Sequence, residues 1–350
     1  MRKIKVAIIG CGNIAQQVHI PNYIQNPKSE LVALCDPRKD VLARTAEKYG
    51  IKHTFENYQE MLGSGLAEAV SVCVPTRLHS KVVIDAADAG VHVLCEKPIA
   101  SSLEEANKML EAVADSGIKF TVGFNLRFLP NHVKVKEYVQ KGRIGEPIFV
   151  RAHLITTGPF AKSGDSYAVE MEKRIGCLFD IGAHLADLML WMFGQPSYVS
   201  AYLSTHMQGA RVDDSALTSI RFKSNIIGEI SVAWAPIFNY GSMETCRMIQ
   251  ITGTRGILES DIYGPSFQFY SIDSLSCKIK GRMKLTPKKF DPNIPNEALT
   301  WSYMKEIDDF LEAVRSGKTP EVSGEEARES LKLILAAYES SASKSVVQLG

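Results

Sequence analysis

The chain opens with an apolar run, Ile4 to Ile9, that leads straight into Gly10-Cys11-Gly12-Asn13-Ile14-Ala15. A run this apolar predicts a strand covered on both faces, as a parallel sheet requires. Glycine at 10 and 12 lets the backbone turn sharply and approach a ligand more closely than a Cβ permits. Ala15 fills the last small position of a G-x-G-x-x-G/A loop, where a bulkier side chain would lift the next helix off its strand. A helix N-terminus placed there offers unpaired N–H groups and a positive dipole end to a pyrophosphate. A second apolar run, Leu31 to Cys35, ends in Asp36, the place where such folds hold the adenosine ribose hydroxyls of NAD. A carboxylate there repels the 2′-phosphate of NADP, so NAD is the expected cofactor. Arg38 keeps NADP open, because its guanidinium can pair with that phosphate or stack on adenine. The competing role for Asp36 is to cap a helix beginning near Lys39.

At 350 residues the chain has room for two domains with a core each. A net charge of +1 without a basic run argues against nucleic-acid or membrane-surface partners. Seven cysteines with no C-x-x-C pair, three of them in or ending apolar runs, fit buried thiols in a reducing compartment. The start resembles a signal peptide only faintly, since Gly10, Gly12 and Asn13 interrupt its apolar stretch. No run has the length of a membrane span, and the expected location is the cytoplasm.

After Asp36 the pattern alternates: a helix over Lys39–Tyr49, a strand over Ala69–Val74, a helix over His79–Ala89, a strand over Val91–Cys95, a helix over Leu103–Ser116 and a strand over Lys119–Val122. This rhythm predicts βαβ units in a doubly wound parallel sheet. Residues 1–122 are therefore expected to form a Rossmann domain, and 123–350 an α+β domain. In the second, a helix over Asn131–Lys141 precedes five β-rich runs, at 148–155, 198–205, 216–222, 226–234 and 246–252. Short turns between most of these runs predict a mostly antiparallel open sheet. Residues 281–296 read as a loop, and helices over 304–316 and 325–341 close the chain, the last able to pack back on the first domain.

Ligands of open α/β sheets sit at the carboxyl ends of the strands. Three segments leave such ends: Pro75-Thr76-Arg77-Leu78-His79, Glu96-Lys97-Pro98 and Gly123-Phe124-Asn125-Leu126-Arg127-Phe128. Pro75, Thr76, His79, Glu96, Lys97 and Asn125 thus join Gly10, Gly12, Asn13, Ile14, Asp36 and Arg38 as candidate cofactor contacts. The proline after Lys97 disfavours helical backbone at the lysine and fixes its direction. Further on, Asp180, His184 and Asp187 stand at i, i+4 and i+7, within an arc of roughly 60° on one helix face. Histidine titrates near neutrality and can take a proton from a hydroxyl. Solvated surface with a cap at Asp180 and a metal site are the competing readings, the second lacking further ligands nearby in sequence.

With these motifs in place, the chain resembles the glucose–fructose oxidoreductase and inositol dehydrogenase family of NAD(P)-dependent sugar and polyol dehydrogenases over essentially its whole length. The resemblance rests on Gly-Cys-Gly-Asn-Ile-Ala at 10–15, Glu96-Lys97-Pro98, Gly-Phe-x-x-Arg-Phe at 123–128, Asp-x-Gly-x-His-x-x-Asp at 180–187 and Ser323-Gly324-Glu325-Glu326-Ala327. It implies Lys97 at the reacting hydroxyl, Asp180 holding the sugar, His184 as acid/base, and Glu96, Pro75 and Thr76 flanking the nicotinamide ribose. It also implies a homodimer or homotetramer built through the C-terminal sheet. Arg127 and His153 are further candidate substrate contacts, and no metal is expected. The chain departs from the family pattern at Val74-Pro75-Thr76 and at Arg174-Ile175-Gly176. Selectivity is expected from the loops at 156–173, with Lys162, Asp165 and Tyr167, and at 235–243. The alternatives are a lyase or glycosidase acting by transient oxidation, a catalytically silent nucleotide-binding regulator, and a metal-dependent hydrolase.

Overall fold

The N-terminal apolar run forms strand β1, Ile4–Ile9, buried at every position but Lys5. It lies in a computed structural model that describes residues 2–156, 158, 175–207, 209–235, 247–263, 266–271, 283–284 and 297–350. The chain divides into two units, Met1–Asn125 with Thr300–Leu331 and Leu126–Leu299 with Lys332–Gly350.

In the first unit β1 is followed by a π-turn, Ala15–His19, and helix α1, Ile20–Gln25. Strand β2, Ser29–Cys35, helix α2, Lys39–Tyr49, strand β3, His53–Phe55, and helix α3, Tyr58–Gly63, come next. Strand β4, Ala69–Val72, helix α4, His79–Asp88, strand β5, His92–Cys95, helix α5, Leu103–Ser116, and strand β6, Phe120–Val122, complete the alternation. All pairings are parallel, in the order β3-β2-β1-β4-β5-β6. The order reverses between β1 and β4, which is where such sheets bind ligands. Local signals set the helix ends: Gly50 and Gly117 close α2 and α5 in left-handed backbone, and Ser102 accepts a hydrogen bond from the Glu105 N–H.

The second unit begins with helix α6, Pro130–Gln140, and strand β7, Pro147–Thr156. Helix α7, Ala183–Phe193, precedes β8, Pro196–Ser204, β9, Ser215–Phe222, and β10, Ile227–Trp234. Then come β11, Arg247–Gly253, β12, Gly256–Asp261, β13, Ser266–Ser271, and the two-residue β14, Met283–Lys284. Strand β15, Val347–Gln348, completes a sheet ordered β14-β13-β12-β11-β7-β10-β9-β8-β15. Every pairing is antiparallel except β7 with β10. Along β9 alternate residues are buried, so one face packs and the other is exposed. Gly228 of β10 shows which face packs: a Cβ there would meet the Met189 side chain of α7 at 2.7 Å and Val150 of β7 at 3.3 Å.

Two expectations change. Helix α8, Glu297–Ser316, and helix α9, Gly324–Ser343, are not simply an end to the second domain. Residues 300–331 belong to the first unit, where Ile307, Phe310 and Leu311 join the core formed by Val6, Ile8, Ile20 and Leu34. The boundary therefore falls after Asn125 rather than Val122, and the first unit is built from two stretches of chain. Strands β12 and β13 were not expected, and the expected loop at 281–296 contains β14, the rest of it lying outside the described residues. No described helix is long and apolar enough to cross a membrane.

Candidate active site

The glycine loop after β1 divides its work between two residues. Gly10 has φ +96°, and a Cβ there would stand 2.5 Å from the Cys73 carbonyl oxygen, so the turn and the approach of the β4 end both require glycine. Around Gly12 a Cβ would meet nothing within 4 Å, which leaves the space a pyrophosphate needs beside a helix start. Residues 13 and 14 are already helical, and Ala15 is fully buried beneath them.

Asp36, at the end of β2, is 2% exposed. One carboxylate oxygen accepts the Cys11 N–H of the glycine loop at 2.8 Å, and the other accepts the Arg38 N–H at 2.9 Å. The Arg38 guanidinium adds two bonds, at 2.9 and 2.8 Å. Burial opposes ionisation of this carboxyl, but the bonds from Arg38 and Cys11 outweigh it and hold its pKa below the ordinary value. Asp36 does not cap α2, whose N-cap position is Arg38 and carries no side-chain cap bond. It ties the glycine loop to the end of the second strand. Beside it lies a cleft of about 320 Å³ with Ile9, Val74, Leu78 and Val82 among its apolar lining and Asn57 at its edge, a slot suited to a purine. These residues fit the adenosine half of NAD.

The other three segments follow strand ends in the same unit. Thr76 opens a single 3₁₀ turn, Thr76–Leu78, after β4, with Pro75 exposed before it. Glu96 and Lys97 follow β5: Glu96 is buried, Lys97 half-buried. Two expected cofactor contacts turn out to be occupied by protein. His79 is fully buried, with Nδ1 2.9 Å from the Pro98 carbonyl oxygen and Nε2 2.9 Å from that of Val74, so its ring braces the backbone. Asn125, after β6, is buried and donates its amide N–H to Ser302 at 2.8 Å.

In the second unit, Asp180 and His184 are carried by a π-turn, Leu178–Gly182, that runs into α7, rather than by one regular helix. Gly176, at φ +97°, turns the chain into this element. Asp213 fastens it, accepting the Leu178 N–H at 2.8 Å and the Cys177 thiol at 3.1 Å, with Tyr338 donating to its other oxygen at 2.5 Å. His184 is 7% exposed and Asp180 half-buried. Burial, then the charge of Asp180, pushes the Tyr263 phenol above its ordinary pKa, so Tyr263 shares the surroundings of that carboxylate.

Two expected substrate contacts are corrected. Arg127 is 2% exposed and forms a fork with Asp187, Nε to Oδ2 at 2.8 Å and the terminal nitrogen to Oδ1 at 2.6 Å. Asp187, the third member of the expected polar stripe, is thereby part of a buried ion pair. His153 lies opposite Ser231 and Met248, three residues from Val150 along β7. Strand alternation sends it to the face away from Met189 and α7. Sequence reading missed His19, Asp213, Tyr338 and Tyr263. The adjacent carboxylates Asp213-Asp214 before a strand were visible, but nothing local shows what they hold. Lys162, Asp165, Tyr167 and residues 236–243 lie outside the described residues. Among the described residues no group of three or more His, Cys, Asp or Glu is placed to hold a metal.

Comparison with known proteins adds the class. Residues 4–124 match the model of an oxidoreductase family with an NAD-binding Rossmann fold, and residues 136–349 match the C-terminal alpha/beta domain of the same family. The chain belongs to this Gfo/Idh/MocA oxidoreductase family. It is 28% identical over 356 residues to a myo-inositol 2-dehydrogenase of Thermotoga maritima, covering 99% of this chain and 98% of that one. It is also 28% identical to a scyllo-inositol 2-dehydrogenase (NAD(+)) of Bacillus subtilis, over 99% of this chain and 96% of the other. Among solved structures, an oxidoreductase domain protein of Kribbella flavida superimposes with a TM-score of 0.87 at 25% identity over the full length of both chains.

Proposed function

We propose that the protein is an NAD-dependent dehydrogenase that oxidises a secondary alcohol of a sugar, sugar derivative or cyclitol. The observation that carries this reading is the π-turn bearing Asp180 that runs directly into α7 with His184 in its first turn, in a family member whose glycine loop and Asp36 fit a dinucleotide. When bound, the nicotinamide supplies the hydride acceptor. His184 takes the hydroxyl proton, the Lys97 ammonium offsets the negative charge that develops on that oxygen, and Asp180 fixes the substrate's pose. The T. maritima and B. subtilis relatives, named for inositols, support a polyhydroxylated ring as substrate.

The test is a panel of inositols, aldoses and glucosides assayed with NAD and NADP side by side. At least one ring polyol or sugar is expected to yield NADH. NAD should exceed NADP in kcat/KM by about tenfold or more, a difference of about 1.4 kcal/mol, because the Asp36 carboxylate repels a 2′-phosphate. Equal use of both cofactors contradicts the role given to Asp36.

The same reading places the enzyme in the cytoplasm as a homodimer or homotetramer assembled through the second unit's sheet. The five described cysteines are buried free thiols, and burial pushes those of Cys11 and Cys35 up to about 12. On the outer sheet face Tyr202 and Leu217 stand opposite one another and are exposed, and Tyr198 and Ile227 are exposed on either side of Arg221, beyond an intervening row of Ser200, Ser219 and Glu229. Such an apolar face is a fitting protein interface.

A further inference from the structure

Beneath the Glu96-Lys97 segment runs a buried polar chain that the proposed chemistry does not use. His19, from the π-turn after the glycine loop, places Nε2 2.7 Å from Glu96 Oε1 and Nδ1 3.2 Å from Ser71 Oγ. Ser71 Oγ is in turn 2.7 Å from the Tyr23 hydroxyl. His19, Ser71 and Tyr23 are all 0% exposed, so none of them can touch substrate or cofactor. The other Glu96 oxygen accepts the backbone N–H of Lys97 at 3.2 Å. On the far side Gly123 leaves no slack: a Cβ there would lie 3.3 Å from Glu96 Oε2 and 3.5 Å from its Cα.

A buried carboxylate must be hydrogen-bonded to be tolerated. Burial pushes Glu96 up, while His19, ahead of Lys97 and His79, more than offsets it and keeps the carboxylate ionised. An ionised carboxylate only accepts, so Nε2 of His19 carries the proton in that contact. A buried pair of this kind adds little net stability over apolar filling of the same volume. What it adds here is direction.

We propose that His19 is a positioning residue for Lys97: it holds one Glu96 oxygen, leaving the other on the Lys97 amide, so the lysine side chain departs from a fixed backbone. The Ser71–Tyr23 arm sets the rotation of the His19 ring. From the opposite side His79 holds the Pro98 carbonyl, so the segment is braced at both ends. This inference rests on the reading that Lys97 acts at the reacting hydroxyl.

The experiment compares His19→Gln, His19→Asn and His19→Ala in the full-length enzyme. A glutamine amide reaches where Nε2 stands, whereas an asparagine amide reaches only where Nδ1 stands. Turnover is measured with NAD and the fastest panel polyol, and binding by fluorescence titration with NADH. His19→Ala and His19→Asn should lose kcat by about 10- to 100-fold, with the NADH Kd changed by less than about threefold. His19→Gln should recover about tenfold of that loss. Equal turnover of the Gln and Asn variants overturns the proposal, as does loss of NADH affinity in step with kcat. The Gln and Asn pair decides alone if His19→Ala does not fold. Lys97→Ala is the reference: if it stays active, the reading of Lys97 falls and this inference with it, whereas a failure confined to His19 leaves Lys97→Ala inactive.

Discussion

Lys97→Ala is expected to lower kcat by about 10²- to 10³-fold, the usual effect of removing one group that meets developing charge. His184→Ala should cost about 10²- to 10⁴-fold, the range of general acid–base catalysis. NADH affinity should stay within a few-fold of the parent, because the glycine loop, Asp36 and the apolar slot beside it are untouched. The expected pattern is therefore a fall in kcat with little change in the KM for NAD, the mark of interactions realised in the transition state. Steady-state kinetics together with NADH titration checks it. Unchanged turnover in both variants removes the proposed chemistry.

The second large effect concerns Arg127 and Asp187, and it separates two roles for the arginine. Asp187→Ala leaves a guanidinium buried without its bidentate carboxylate, a change that costs about 3–5 kcal/mol. Replacing both partners by apolar residues of similar volume, Arg127→Met with Asp187→Leu, should restore most of that loss. Urea unfolding of the full-length protein, followed by tryptophan fluorescence, reads both. Trp191 lies in this neighbourhood, with the Arg127 guanidinium 5.8 Å from its ring centroid. An arginine that served the substrate would behave otherwise: Arg127→Met alone would raise the KM for the polyol and leave the unfolding midpoint in place.

These outcomes turn on features of unequal visibility in the chain. The β1 run, its glycine loop and Asp36 were legible because each is a local pattern: apolar continuity, absent side chains and an acid at a fixed distance. The spacing of Asp180 and His184 was visible for the same reason, although the π-turn that carries Asp180 leaves no mark in that spacing and Asp187 of the same stripe meets Arg127 instead. Arg127 was misread because its partner lies 60 residues away, and a motif that places an arginine after a strand says nothing of what it meets. His19 and Glu96 are 77 residues apart, and a lone histidine in a helical stretch carries no sign of a buried carboxylate beneath it. The helix holding Ile307, Phe310 and Leu311 was visible as a closing helix, yet a helical pattern does not name the core it joins. His153 was a candidate substrate contact only as a histidine on a strand, and strand position does not say which face packs.

The most direct measurement follows the fate of both reactants. A polyol deuterated at the reacting carbon is incubated with the enzyme and excess NAD, and the reduced cofactor, its deuterium content and the product skeleton are quantified together. The account predicts one deuterated NADH per polyol consumed and a ketone with its carbon framework and glycosidic bonds intact. Consumption of the polyol with no net NADH and an eliminated or cleaved product would contradict it and assign the chain to chemistry by transient oxidation.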